Sequence, residues 1–86
     1  MNNEIRQQLI SHLHTKLERF GIGEGELTTG FDLVKSGLVN SLEFVELVTG
    51  LEKHFGIEVD FEAALDAGDF TTFGGLANTL EKYLNG

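Results

Sequence analysis

Cysteine, proline and tryptophan are all absent from the 86 residues. Without cysteine there is no disulfide framework, no zinc–thiolate centre and no catalytic thiol. Without proline, glycine must punctuate the chain, and 11 glycines are present. Basic residues are scarce: 6 Lys and Arg stand against 14 Asp and Glu, a formal charge of −8. No apolar run approaches the roughly 20 residues that a bilayer-spanning helix needs. Met1-Asn2-Asn3-Glu4 lacks the basic start and apolar stretch of a secretory signal. These absences lead us to expect a soluble, cytoplasmic chain with no membrane partner. The length corresponds to one domain, residues 1–86. A domain this small buries a modest fraction of its surface.

The acidity is unevenly placed. Residues 1–20 carry Arg6, Lys16 and Arg19, whereas Lys35 and Lys53 are the only basic residues between positions 24 and 69. Such a field repels nucleic acid and anionic lipid and steers basic protein surfaces towards the middle of the chain. The same acidity also serves solubility by itself.

Apolar periodicity predicts a helix over residues 4–20, with Ile5, Leu9, Leu13, Leu17 and Phe20 on one stripe. Gly21 and Gly23 end it. Residues 21–40 form a long, glycine-rich connection with scattered apolar residues, of a length that is often functional. Lacking periodic packing, it is the segment expected to move most. A second helix is predicted over 41–55. Phe44, Leu47, Val48, Leu51 and Phe55 face the core, Leu42 and Val45 add a second apolar row, and Glu43, Glu46 and Glu52 supply the polar side. Gly56 stops it. Residues 57–61 alternate as a strand would, but no partner strand is evident, so an extended linker is expected. A short helix over 61–66 follows. A last helix begins after Thr72, a natural cap, and buries Phe73, Leu76, Ala77, Leu80 and Leu84. Gly74 and Gly75 weaken its first turn. The expected fold is all-α: a small antiparallel bundle of three main helices and one short helix, with a long first loop.

Enzymatic patterns are missing. Nothing links Ser11, Ser36 or Ser41 to a histidine base, and no nucleophile elbow or phosphate-binding glycine fingerprint occurs. His12 and His14 lie two apart, so on a helix they diverge and cannot share a metal. Asp32, Gly37 and Glu43 reproduce three positions of a calcium-binding EF-hand loop. The third position is Val34, however, which has no side-chain oxygen, and the fifth is the weak ligand Ser36. No metal is expected.

The run from Asp32 to Leu47, Asp-Leu-Val-Lys-Ser-Gly-Leu-Val-Asn-Ser-Leu-Glu-Phe-Val-Glu-Leu, resembles the attachment motif of phosphopantetheine-dependent acyl and peptidyl carrier proteins. Asp32-Leu33, Gly37-Leu38, Ser41-Leu42 and Val45-Glu46-Leu47 match in order and spacing, and Phe55-Gly56-Ile57 and Asp69-Phe70-Thr71-Thr72 are also similar to the family. The resemblance covers nearly the whole chain and implies an acyl-carrier-like bundle. It further implies a 4'-phosphopantetheine arm from coenzyme A on Ser41, sheltered by Leu42 and Val45, with Glu43 and Glu46 docking partners. Those partners would be a phosphopantetheinyl transferase, an acyl- or aminoacyl-loading ligase or synthase, and downstream enzymes. The chain would then be a monomeric, free-standing, non-enzymatic carrier of a thioester. The family usually has Asp before the serine. Asn40 stands here instead, removing a charge beside the site while capping a helix equally well.

Physical chemistry agrees with that role. A serine that another enzyme must reach belongs at an exposed helix start, where the N-terminus favours a phosphodiester. Serine is also a common helix cap, and a carrier-like module that only binds proteins, without the arm, is the alternative. With the apolar residues claimed by helix packing, few voids remain for a long chain. A small cargo, an amino acid or short acyl unit, is therefore expected near Leu42 and Val45.

Overall fold

Two helices end in the same way, and the endings fix how the chain leaves them. The computed structural model describes residues 3–85. In α1, Asn3–Phe20, the residues Ile5, Leu9, Leu13 and Leu17 are buried at successive four-residue steps. Gly21 then takes a left-handed φ of 67°, and the Ile22 N–H bonds back to the Leu17 carbonyl at 2.9 Å. This closure lets the residue after the glycine pack against the last buried turn. Ile22 therefore joins the core, while Phe20, expected on the buried stripe, is 53% exposed. In α2, Ser41–Phe55, Gly56 adopts φ 68° and Ile57 bonds back to Glu52 at 3.1 Å.

The linker after α2 is extended and forms no strand. Side chains meet its donors: the Val59 N–H donates to Glu52 Oε2 and the Asp60 N–H to Tyr83 Oη, both at 2.8 Å. Asp60 caps the short helix α3, Phe61–Asp66, by accepting from the Ala63 N–H. Phe44 of α2, Phe61 and Phe70 meet edge to face, with ring centroids 5.2–6.1 Å apart. Such pairs add to the burial that joins α2 to the α3 region.

The last helix, α4, spans Phe73–Asn85. Thr72 caps it, its hydroxyl accepting the Gly75 N–H at 2.9 Å. Gly74 and Gly75 are requirements of packing. A Cβ on Gly75 would sit 1.8 Å from the Asp69 carbonyl oxygen, and one on Gly74 would sit 2.7 Å from the Thr29 side chain. Arg6 of α1 lies 5.5 Å over the Phe73 ring. Leu84, in the last turn, is exposed rather than buried.

The connection 21–40 departs from expectation. It contains a single 3₁₀ turn at Glu24–Glu26, yet Leu27, Leu33, Leu38 and Val39 are buried. Its backbone is stitched to the segment entering α4. Leu33 N–H donates to the Thr71 carbonyl and Phe73 N–H to the Phe31 carbonyl, each at 2.8 Å, and Gly74 N–H to the Thr29 carbonyl at 2.9 Å. Asp32 and Thr72 form an isolated antiparallel bridge. Glycines make this segment irregular, but burial and hydrogen bonds tie it down. The result is a bundle of three main helices and one short one, with no strand among the described residues.

Candidate functional site

The turn that delivers Ser41 is built from Asp32 outwards. Its Oδ1 accepts the N–H groups of Val34 and Lys35 at 3.0 and 2.8 Å, and its Oδ2 accepts the Thr71 hydroxyl at 2.9 Å. Burial pushes this carboxyl up. The Lys35 N–H, the Thr71 hydroxyl and the Val34 N–H together outweigh that and hold it below the ordinary aspartate value. The Val39 N–H then returns to the Leu33 carbonyl at 3.0 Å, and Leu38 and Val39 plug the turn into the core. The next residue must therefore emerge at the surface.

Asn40 is that residue, and it is the cap of α2. Its Oδ1 accepts the Glu43 N–H at 2.8 Å, and its own N–H donates to Glu43 Oε1 at 2.9 Å. This reciprocal pair satisfies two otherwise open donors of the helix start. Capping thus falls to Asn40, and Ser41 occupies the first helical position. Ser41 is exposed, and its hydroxyl makes no hydrogen bond among the described residues. The hydroxyl is accessible, beside backbone N–H groups whose dipoles favour an anionic phosphate. The exposure, the free oxygen and the helix start all fit a phosphodiester-linked group.

Leu42 is 67% and Val45 42% exposed. This outward-facing apolar pair lies one and four residues beyond Ser41 on α2. The carboxylates of α2 differ sharply in what they touch. Glu43 is hydrogen-bonded and ion-paired to Lys16 of α1, half-buried with it. The Lys16 ammonium, then the Asn40 N–H, hold the Glu43 carboxyl below its ordinary value, with Arg19 adding a weaker pull. Glu52 accepts the Val59 N–H. Glu46 is exposed, with no ion-pair partner among the described residues.

The EF-hand spacing does not bring its ligands together. The Asp32 carboxylate turns to its own loop and to Thr71, whereas that of Glu43 turns to Asn40 and Lys16. His12 Nδ1 lies 2.8 Å from the Gln8 carbonyl, and His14 pairs with Glu18. Sequence reasoning missed Lys16, 27 residues from its partner, where no local pattern signals the contact. It also missed the Thr71 hydroxyl, although the Asp69–Thr72 run was visible.

An exposed serine at a capped helix start, behind a tethered turn and beside an exposed apolar pair, is the arrangement a carrier-type helical domain requires. Over residues 7–80 the chain matches the family described as the phosphopantetheine attachment site. The chain belongs to that family, whose members carry 4'-phosphopantetheine covalently. No solved structure matches the chain. No helix among the described residues is long and apolar enough to cross a membrane.

Proposed function

We propose that this chain is a cytoplasmic carrier, monomeric and without catalytic activity of its own, with Ser41 as its attachment residue. A phosphopantetheinyl transferase would join the Ser41 oxygen to the phosphopantetheine phosphorus of coenzyme A. The Oγ–P bond forms as the hydroxyl proton leaves. The pyrophosphate P–O bond breaks, and adenosine 3',5'-bisphosphate departs. The attached arm supplies a thiol on which an acyl or aminoacyl group rides as a thioester. The single observation that carries this reading is the exposed, unbonded Ser41 hydroxyl at the first position of a helix that Asn40 already caps.

The chain's own residues have distinct parts in this reading. Asn40 and Glu43 hold the first turn of α2 in shape. Leu42 and Val45 cover the root of the arm and meet partner enzymes. Glu46 offers a free carboxylate for docking, and Glu43 offers a second to a partner able to displace Lys16. The core favours a small cargo: Leu47, Val48, Leu51, Phe70, Phe73, Leu76 and Leu80 are buried against one another. A long chain would have to part them, and closely packed interiors resist this. An amino acid or short acyl unit, delivered by a ligase or synthase of a biosynthetic route, needs no such opening.

The absence of cysteine makes a clean test possible. Protein treated with a broad-specificity transferase and coenzyme A, then freed of small molecules, should react with a thiol reagent. Untreated protein should not. A treated protein with no thiol would favour the carrier-like interaction module that lacks the arm.

A further inference from the structure

The second helix is less acidic to an approaching protein than its sequence suggests. Glu43 is taken by Lys16 and by the Asn40 N–H, and Glu52 by the Val59 N–H. Asn40 is neutral where an aspartate would add a charge. Arg19 pulls on the same Glu43 carboxylate from α1. Around Ser41 there remain two exposed apolar side chains, Leu42 and Val45, and one unpaired carboxylate, Glu46. Along the first two turns of α2 a basic docking surface would meet one free carboxylate and would face the Lys16 ammonium on the flank. A hollow that takes Leu42 and Val45, with one cation opposite Glu46, would match the charge and the exposure together.

We propose that Lys16 is a specificity-determining residue. By holding Glu43 it withdraws a carboxylate from the docking face, so that this carrier fits partners with an apolar, singly charged surface and disfavours strongly basic ones. Lys16 is paired with Glu43 and acts through it, in a shallow hollow that Glu46 also lines. The inference rests on Ser41 being the modified residue, but its physical premise can be measured without any transferase.

That premise is tested by the titration of the Glu43 side chain, followed by NMR in wild type and Lys16→Met. The midpoint should lie below the ordinary glutamate value in wild type and move up in the variant. An unchanged midpoint would overturn the inference even if no transferase accepted the chain. The functional arm uses a transferase whose carrier-binding surface is basic, with coenzyme A. A single charge pair formed by the released Glu43 across a solvent-accessible docking face is worth little, so Lys16→Met should lower KM for the carrier by about two- to fivefold at low salt, with kcat unchanged. The gain should vanish at high salt. Lys16→Arg should keep the wild-type KM, and Glu43→Gln added to Lys16→Met should restore it, since glutamine can still accept the Asn40 N–H. A KM unaffected by Lys16→Met at low salt, or a gain that survives Glu43→Gln, would overturn the inference. A wild-type chain that takes no arm at all would refute the carrier reading instead, and the Glu43 titration would then decide the role of Lys16 by itself.

Discussion

The Thr71 hydroxyl donates to Asp32 Oδ2 at 2.9 Å, joining the turn before the Ser41 helix to the segment that enters α4, 39 residues away in the chain. Beside it the Leu33 N–H reaches the Thr71 carbonyl. This pairing holds the turn that leads to Ser41 in place from behind. It makes Asp32, nine residues upstream of Ser41, a residue of the site without being near the chemistry.

Asp32 should give the fold a pH dependence. Its carboxyl is held below the ordinary aspartate value in the folded chain. A group depressed on folding contributes stability that is fully present above its unfolded value and is lost as pH falls through the folded one. The loss should therefore appear below about pH 4, where a free aspartate titrates. Asp32→Ala removes the acceptor of three hydrogen bonds and should cost about 1–3 kcal/mol at neutral pH. Urea unfolding of both proteins at pH 7 and pH 3 measures this. The gap between wild type and Asp32→Ala should narrow at the lower pH, and a gap of equal size would exclude the ionised carboxylate as its source.

The cap of α2 belongs to Asn40, so the expected penalty moves there. Asn40→Ala should destabilise the chain by about 1 kcal/mol, while Asn40→Asp should be tolerated because both residues cap well. Thermal unfolding of the two variants distinguishes them. Equal destabilisation by both would mean that the amide nitrogen matters, rather than the oxygen that receives the Glu43 N–H.

Gly75 allows almost no substitution. The Cβ of an alanine would overlap the Asp69 carbonyl oxygen, a backbone atom that cannot swing aside. Gly75→Ala should therefore destabilise by about 3 kcal/mol or more, beyond the range of ordinary overpacking. This runs against helix propensity, which favours alanine. A chemical-denaturation midpoint equal to or above wild type would show that the α3–α4 connection moves to make room.

Helix positions were legible in the sequence because periodic burial dictates them. Ile5 through Leu17, Phe44 through Leu51 and Phe73 through Leu80 lie in the core as their spacing requires. Phe20 escaped that logic because the chain reverses at Gly21 and gives its place to Ile22. The connection 21–40 escaped it too. Leu27, Leu33 and Leu38 are buried by an irregular path whose hydrogen bonds run to Thr71, Phe73 and Gly74, far along the chain. At the site, the position of Ser41 at the start of α2 was readable from local pattern, whereas its role as attachment residue was implied by the family resemblance. The engagement of Glu43 by Lys16 was not readable, because it depends on how α1 crosses the start of α2.

The carrier reading comes down to one oxygen atom, the Ser41 hydroxyl. Wild type and Ser41→Ala should be incubated with a broad-specificity transferase and coenzyme A, then weighed intact and as proteolytic peptides. Because Asn40 carries the cap, the alanine variant should keep the wild-type helical circular dichroism and nearly the wild-type melting temperature. Wild type should gain one phosphopantetheine, on the peptide containing Ser41, and the variant none. An adduct on the folded Ser41→Ala protein, or an unmodified wild type, would contradict that reading.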